Sequence, residues 1–292
     1  MAPISKIALG TVQFGLSYGV ANVEGQLSLE DVSAIISLAK EAGIDTLDTA
    51  IAYGESESRL GQVGIHDWRV VSKLPPLPGG CANVEAWVDE SLTSSLQRLG
   101  IARLYGLLLH RAADLLGDHG SELFRALLCA KVSGRVEKIG VSVYDPQELQ
   151  PVTSCFEIDL VQAPYNIFDR RIQEGGWLEL LHQSAIEIHV RSVFLQGLLL
   201  SPKIRRSQEF FRWESLFTRW DAWLRETRTS ALSSCLHFAL SQPEIHRVIV
   251  GVDSLSHLRE IITAAEECPP LPPESLACTD TELIDPSNWK IQ

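Results

Sequence analysis

Short apolar runs rich in β-branched residues alternate along the chain with segments whose apolar positions recur every three or four residues. That alternation is the signature of repeated βαβ units. Eight runs read as strands, at 6–9, 46–48, 68–72, 104–109, 138–143, 160–163, 186–193 and 247–251. Most have no polar face, as a parallel sheet covered on both sides requires. Between the runs, Ser28 with Asp31 three residues on opens a helix whose Val32, Ile35, Ile36 and Ala39 share one face, and Gly43 stands at its C-cap. A second stripe joins Val84, Trp87, Val88, Leu92, Leu96 and Leu99 and stops at Gly100. A third joins Phe210, Trp213, Phe217, Trp220 and Leu224 and reads as a packing face.

No Gly/Ser linker and no repeat longer than the βα unit divides the 292 residues. One α/β domain is therefore expected, a closed (β/α)8 TIM barrel over residues 1–267. A Pro-rich segment from Cys268 ends the last helix and leads into a C-terminal tail, 268–292, expected to pack near the barrel mouth.

Composition narrows the partners. With 25 Lys+Arg against 37 Asp+Glu the net charge is -12, and no basic stripe is visible, so neither nucleic acid nor an anionic membrane surface is expected. The apolar stretch from Val190 is broken by Arg191, Ser192 and Gln196, well short of the roughly 20 residues of a membrane span. The first residues carry no signal-peptide pattern, and a cytoplasmic location is the expectation. Six scattered cysteines, with no CxxC pair, are expected to be small buried apolar residues rather than disulfides or zinc ligands. No metal site is expected.

In such a barrel the residues just past each strand ring one mouth, and active sites lie there. In chain order they are Gly10 and Thr11, Asp48 with Tyr53, Lys73, His110, Ser142, Gln162 with Asn166, Arg191 with Ser192, and Gly251 onward. A phenol is a poor acid near neutral pH unless a cation stabilises its phenolate. Tyr53 thus reads as a proton donor, Lys73 as its tuning cation, Asp48 as the anchor of that cation, and His110 as a donor able to orient a carbonyl.

These residues resemble the aldo-keto reductases. LDTAIAYGESESRLG at 47–61 is similar to that family's Asp and Tyr motif, and VVSKL and LLLHR to its Lys and His strands. IGVSVYDP, DLVQAPYN, RSVFLQGLLL and VIVGVDSLSHLREI resemble its later strands, in the same order. The resemblance implies an NAD(P)-dependent oxidoreductase that transfers hydride to an aldehyde or ketone, or from an alcohol, with the cofactor across the C-terminal mouth. It further implies that Ser142 and Gln162 hold the carboxamide, that Arg191 lies against the nicotinamide and that Ser192, Phe194, Gln196 and Gly197 line the pyrophosphate. Gly251, Asp253, Ser254, His257, Glu260 and Ile261 would then meet the adenosine end, and Gly10, Thr11, Val12 and Asp48 would complete the cofactor contacts.

Several positions depart from the family pattern. Ser142 is followed by Val143 rather than Asn, which leaves Asn166 as a substitute contact, and Arg191 stands where an aromatic is common. At the adenosine end Asp253 would repel a ribose phosphate, whereas Ser254 and a protonated His257 could accept one. Family habit implies NADPH, with NADH as the other option. The branch resembled is linked with sugar and surface-polysaccharide metabolism, and Trp213, Trp220, Trp223 and Trp289 could stack on a sugar or belong to the core. Two other classes compete: a nicotinamide-binding sensor or regulatory subunit with little turnover, and a Schiff-base aldolase using Lys73.

Overall fold

The computed structural model describes residues 3–17, 25–202, 204 and 206–289. Eight parallel strands close into a barrel in chain order: β1 (Ile7–Gly10), β2 (Thr46–Asp48), β3 (Arg69–Leu74), β4 (Leu104–Leu109), β5 (Val136–Ser142), β6 (Leu160–Pro164), β7 (Glu187–Arg191) and β8 (Arg247–Gly251). β8 pairs back onto β1, with Gly10 opposite Gly251. The helices that cover the barrel are α1 (Leu29–Glu41), α2 (Ser56–Val63), α3 (Val84–Leu99), α4 (Gly120–Val132), α5 (Leu149–Cys155), α6 (Trp177–Gln183), α7 (Glu214–Thr227), α8 (Ala231–Leu240) and α9 (Leu255–Ala265).

The helix stripes face inward as their spacing requires. Val32, Ile35, Ile36 and Ala39 of α1 are buried, the Ser28 hydroxyl accepts from Asp31 N, and Gly43 has φ +87°. α3 buries Val84, Val88, Leu92, Leu96 and Leu99 and ends on a left-handed Gly100. The third stripe begins instead as a 3-10 segment, Gln208–Trp213, before α7 takes over. Its Phe210, Phe217 and Trp220 are core, and Trp220 stacks on Trp223 at 5.5 Å.

Strand boundaries moved where charge had hidden them. β5 starts two residues before the expected position because Glu137 and Lys138 occupy the partly wet start of a strand. β7 stops at Arg191, since Ser192 takes φ +60° and turns the chain away. At the strand starts, opposite the mouth, Glu187 accepts from Tyr105 Oη (2.6 Å) and Lys138 and shares a 2.7 Å hydrogen bond with His189 Nε2. These bonds hold its carboxyl far below the usual carboxylate range against the opposing effect of burial.

The cysteines divide differently from expectation. Cys235 is in the core and Cys81 and Cys278 are half-buried, but Cys129, Cys155 and Cys268 are exposed because they fall on the outer faces of their segments. The tail packs on the loop after β6 and on the segment leading into α7. Arg170 donates to the Pro273 carbonyl (2.8 Å), Cys278 N to the Phe168 carbonyl (2.8 Å) and Trp213 Nε1 to Asp280 (2.9 Å). Trp289 meets Phe210 edge-on at 5.0 Å.

Candidate active site

The strand ends enclose a cleft of ≈ 910 Å³. At its base Lys73, 1% exposed on β3, donates to both Asp48 oxygens (2.8 and 2.7 Å) and to the Thr49 carbonyl (2.9 Å). Burial lowers the Lys73 ammonium, and Asp48 opposes that by charge and hydrogen bonding. Asp48 Oδ1 also accepts from Gln162 Nε2 at 2.7 Å. Thr11 donates twice to the Asp48 carbonyl, through N and Oγ1, both at 2.9 Å, and so ties the ends of β1 and β2 together.

Tyr53 stands on the turn after β2, its ring centre 5.2 Å from Lys73 Nζ and 5.9 Å from the His110 ring, edge to face. Burial first, then Asp48, pushes the Tyr53 phenol well above its ordinary value, while Arg191 acts in the opposite sense. The phenol is therefore protonated across the physiological range. His110 is lowered to about 4, first by burial and then by Lys73 and Arg191. A neutral imidazole follows, able to donate one hydrogen bond without carrying charge.

Of the expected cofactor residues, Gly10, Thr11, Val12, Asp48, Gln162, Arg191, Ser192, Phe194, Gln196, Gly197, Gly251, Asp253, His257, Glu260 and Ile261 line this cleft together with Tyr53 and His110. Lys73, Ser142 and Ser254 do not. Lys73 is walled in behind Asp48, which leaves a Schiff-base role without access. The Ser142 hydroxyl turns to Gln162 Oε1 at 3.4 Å. Ser254 caps α9, accepting from His257 N at 3.2 Å. Asn166, considered as a substitute contact, is fully buried, donates to the Ser192 carbonyl and accepts from Phe168 N and Asp169 N. None of Trp213, Trp220, Trp223 and Trp289 is among the residues that line this cleft.

Among the other lining residues, Tyr144, Arg206 and Gln13 carried no strand-end signal. Arg191 donates to the Val143 carbonyl (2.9 Å) and its guanidinium lies 4.3 Å from the centre of the Tyr144 ring, so an aromatic does occupy this wall. Arg206 lines the cleft while bidentate to Asp221 (2.8 and 2.6 Å). Gln13 is buried beside Gly251, where a Cβ would fall 2.7 Å from its Nε2, and its Oε1 has no partner among the described residues. The loop after β7 holds Ser192, Leu195 and Gln196 at φ +60°, +48° and +52°. Non-glycine residues in that region cost about 1–3 kcal/mol each and persist where surrounding structure dictates them.

The family model of the aldo/keto reductases matches residues 6–281. The chain belongs to the aldo/keto reductase family. Members are oxidoreductases that use nicotinamide cofactors on carbonyl substrates. Among its relatives, the uncharacterized oxidoreductase YqkF of Bacillus subtilis is 25% identical over 282 residues, covering 90% of this chain and 87% of that one. The NADH-specific methylglyoxal reductase of Escherichia coli is 24% identical over 305 residues, covering 89% and 90%. An aldo-keto reductase of Bacillus halodurans in its holo form shares this fold, with a TM-score of 0.72, 20% identity, and coverage of 93% of this chain and 89% of that one. Among the described residues of this aldo-keto reductase, no helix is long and apolar enough to cross a membrane.

Proposed function

We propose that this aldo-keto reductase reduces an aldehyde or ketone with a nicotinamide dinucleotide bound in the cleft and Tyr53 as the proton donor. The carrying observation is the grouping of Tyr53 and His110 on the cleft wall above the buried Lys73–Asp48 pair. The lining fits the nucleotide: the volume is that of a cofactor site, and Gln13 Oε1 is a buried acceptor beside the close approach at Gly251.

When bound, the nicotinamide would supply the hydride to the carbonyl carbon of the substrate. Neutral His110 donates a hydrogen bond to the substrate carbonyl, drawing electron density onto its oxygen. Tyr53 gives its proton to that oxygen, and the phenolate left behind is stabilised by Lys73 and by Arg191. Asp48 keeps Lys73 in place and charged, and the apolar surround strengthens each of these interactions.

At the far end the turn after β8 offers Asp253 to the cleft and α9 offers His257 and Glu260, and no Lys or Arg of that segment lines it. Two carboxylates against one imidazole favour an unphosphorylated ribose. NADH is accordingly the proposed cofactor, although family habit implies NADPH.

The test is oxidation of NADH and NADPH with a panel of aldehydes by the wild type and by Tyr53→Phe. Turnover that falls by about 10²–10⁴ in the variant with nucleotide binding intact supports the proposal. Full activity in Tyr53→Phe would sink the proton-donor role, and tight binding with no turnover on any carbonyl would favour the sensor reading.

A further inference from the structure

We propose that Ser56 and Glu57, the first two residues of α2, are positioning residues that fix Tyr53 relative to Lys73 and His110. The proposal rests on the proton-donor role of Tyr53 given above. Glu57 is a carboxylate only 1% exposed that takes no part in the chemistry so far. Its Oε1 accepts from the hydroxyls of Ser72 and Ser95, both at 2.7 Å. Its Oε2 accepts from Arg98 Nε (2.9 Å) and Nη2 (2.6 Å). A charge this deep is tolerated only when its oxygens are bonded in this way.

The partners lie next to the reacting groups. Ser72 immediately precedes Lys73 on β3, so Glu57 is joined to the strand that carries the ammonium. Gly61, one turn after Glu57, would place a Cβ 2.0 Å from the Arg98 carbonyl; α2 and α3 therefore pack backbone to backbone there, which brings Arg98 within reach. The Ser56 hydroxyl donates toward the Thr11 carbonyl at 2.9 Å and lies 2.9 Å from Thr11 Oγ1 and 3.1 Å from Thr49 Oγ1. Two consecutive side chains thus bind the ends of β1 and β2, the body of β3, and α3.

The turn that carries Tyr53 is held between this clamp and the chain after β1. Ser56 N donates to the Tyr53 carbonyl at 3.0 Å, and a Cβ on Gly15 would fall 1.8 Å from that same oxygen. The turn has little room to shift on either side. Misplacing a reacting group by 1 Å can cost about 10²-fold in rate, so a clamp three and four residues from the hydroxyl bears directly on catalysis.

Glu57→Gln and Ser56→Ala separate positioning from plain stability. The expected result with saturating NADH is a kcat lowered by about 10²-fold, with the carbonyl KM and the nucleotide Kd close to wild type and the alkaline limb of the kcat–pH profile displaced. Unchanged kcat and pH profile at a temperature where the variants are folded, with only the melting temperature lowered, would overturn the proposal. Should Glu57→Gln fail to fold, Ser56→Ala decides by the same two readouts. Loss of activity in Tyr53→Phe alongside unaffected clamp variants removes the clamp alone, whereas full activity in Tyr53→Phe removes the proton-donor role as well.

Discussion

Gln162 Nε2 donates to Asp48 Oδ1 at 2.7 Å, bracing from β6 the carboxylate that holds Lys73. The same amide accepts from Ser142 through Oε1, so its planar group is fixed at both ends.

Gln162→Met keeps the volume and removes these bonds. Leaving a buried charged acceptor short of a donor costs about 1–3 kcal/mol. The urea midpoint is expected to fall accordingly, with kcat/KM falling as Asp48 and Lys73 loosen. An unchanged midpoint and rate would mean that the bond contributes nothing.

His110 carries the clearest pH signature. Its folded pKa of about 4 lies below the unfolded value, so between the two the unfolded chain binds more protons. Stability is therefore lost as pH falls from about 6.5 toward 4, by at most about 3 kcal/mol from this group. Urea unfolding of wild type and His110→Asn across that window is expected to show a shallower pH slope in the variant; equal slopes would contradict it.

The ribose end predicts cofactor choice. Glu260→Lys replaces a lining carboxylate by a cation and is expected to shift the NADPH/NADH affinity ratio toward NADPH by roughly three- to tenfold. Fluorescence titration of both nucleotides measures it, and wild type binding NADPH more tightly than NADH would rule out the proposed preference.

Gly61→Ala sets two effects against each other. Alanine favours a helix by about 1 kcal/mol over glycine, yet its methyl would sit 2.0 Å from the Arg98 carbonyl. Overpacking against backbone costs about 1–3 kcal/mol. A lower melting temperature is expected, and a higher one would show that α2 and α3 separate easily.

Much was legible in the local pattern because barrel strands are short apolar runs and their ends are marked by polar residues. Asp48, Tyr53, Lys73 and His110 each follow or end such a run, so their convergence could be read once the runs were counted as eight. Gln13, Tyr144 and Arg206 carried no comparable signal. Tyr144 reaches the cleft by stacking on a guanidinium 47 residues later, and Gln13 by lying against Gly251 across the β1–β8 seam.

By itself, then, the sequence determined the alternation of strands and helices, the order of the mouth residues and their chemical types, because these follow from periodicity along the chain. Tertiary structure alone decided which way each side chain turns. Ser142 and Asn166 near their strand ends, and Ser254 at the start of α9, direct their side chains to Gln162, to the Ser192 carbonyl and to His257 N respectively. Glu57, unremarked within its motif, is held by residues 15, 38 and 41 positions away. Side-chain direction is set by such long-range hydrogen bonds and close backbone approaches, which exist only after the barrel has closed.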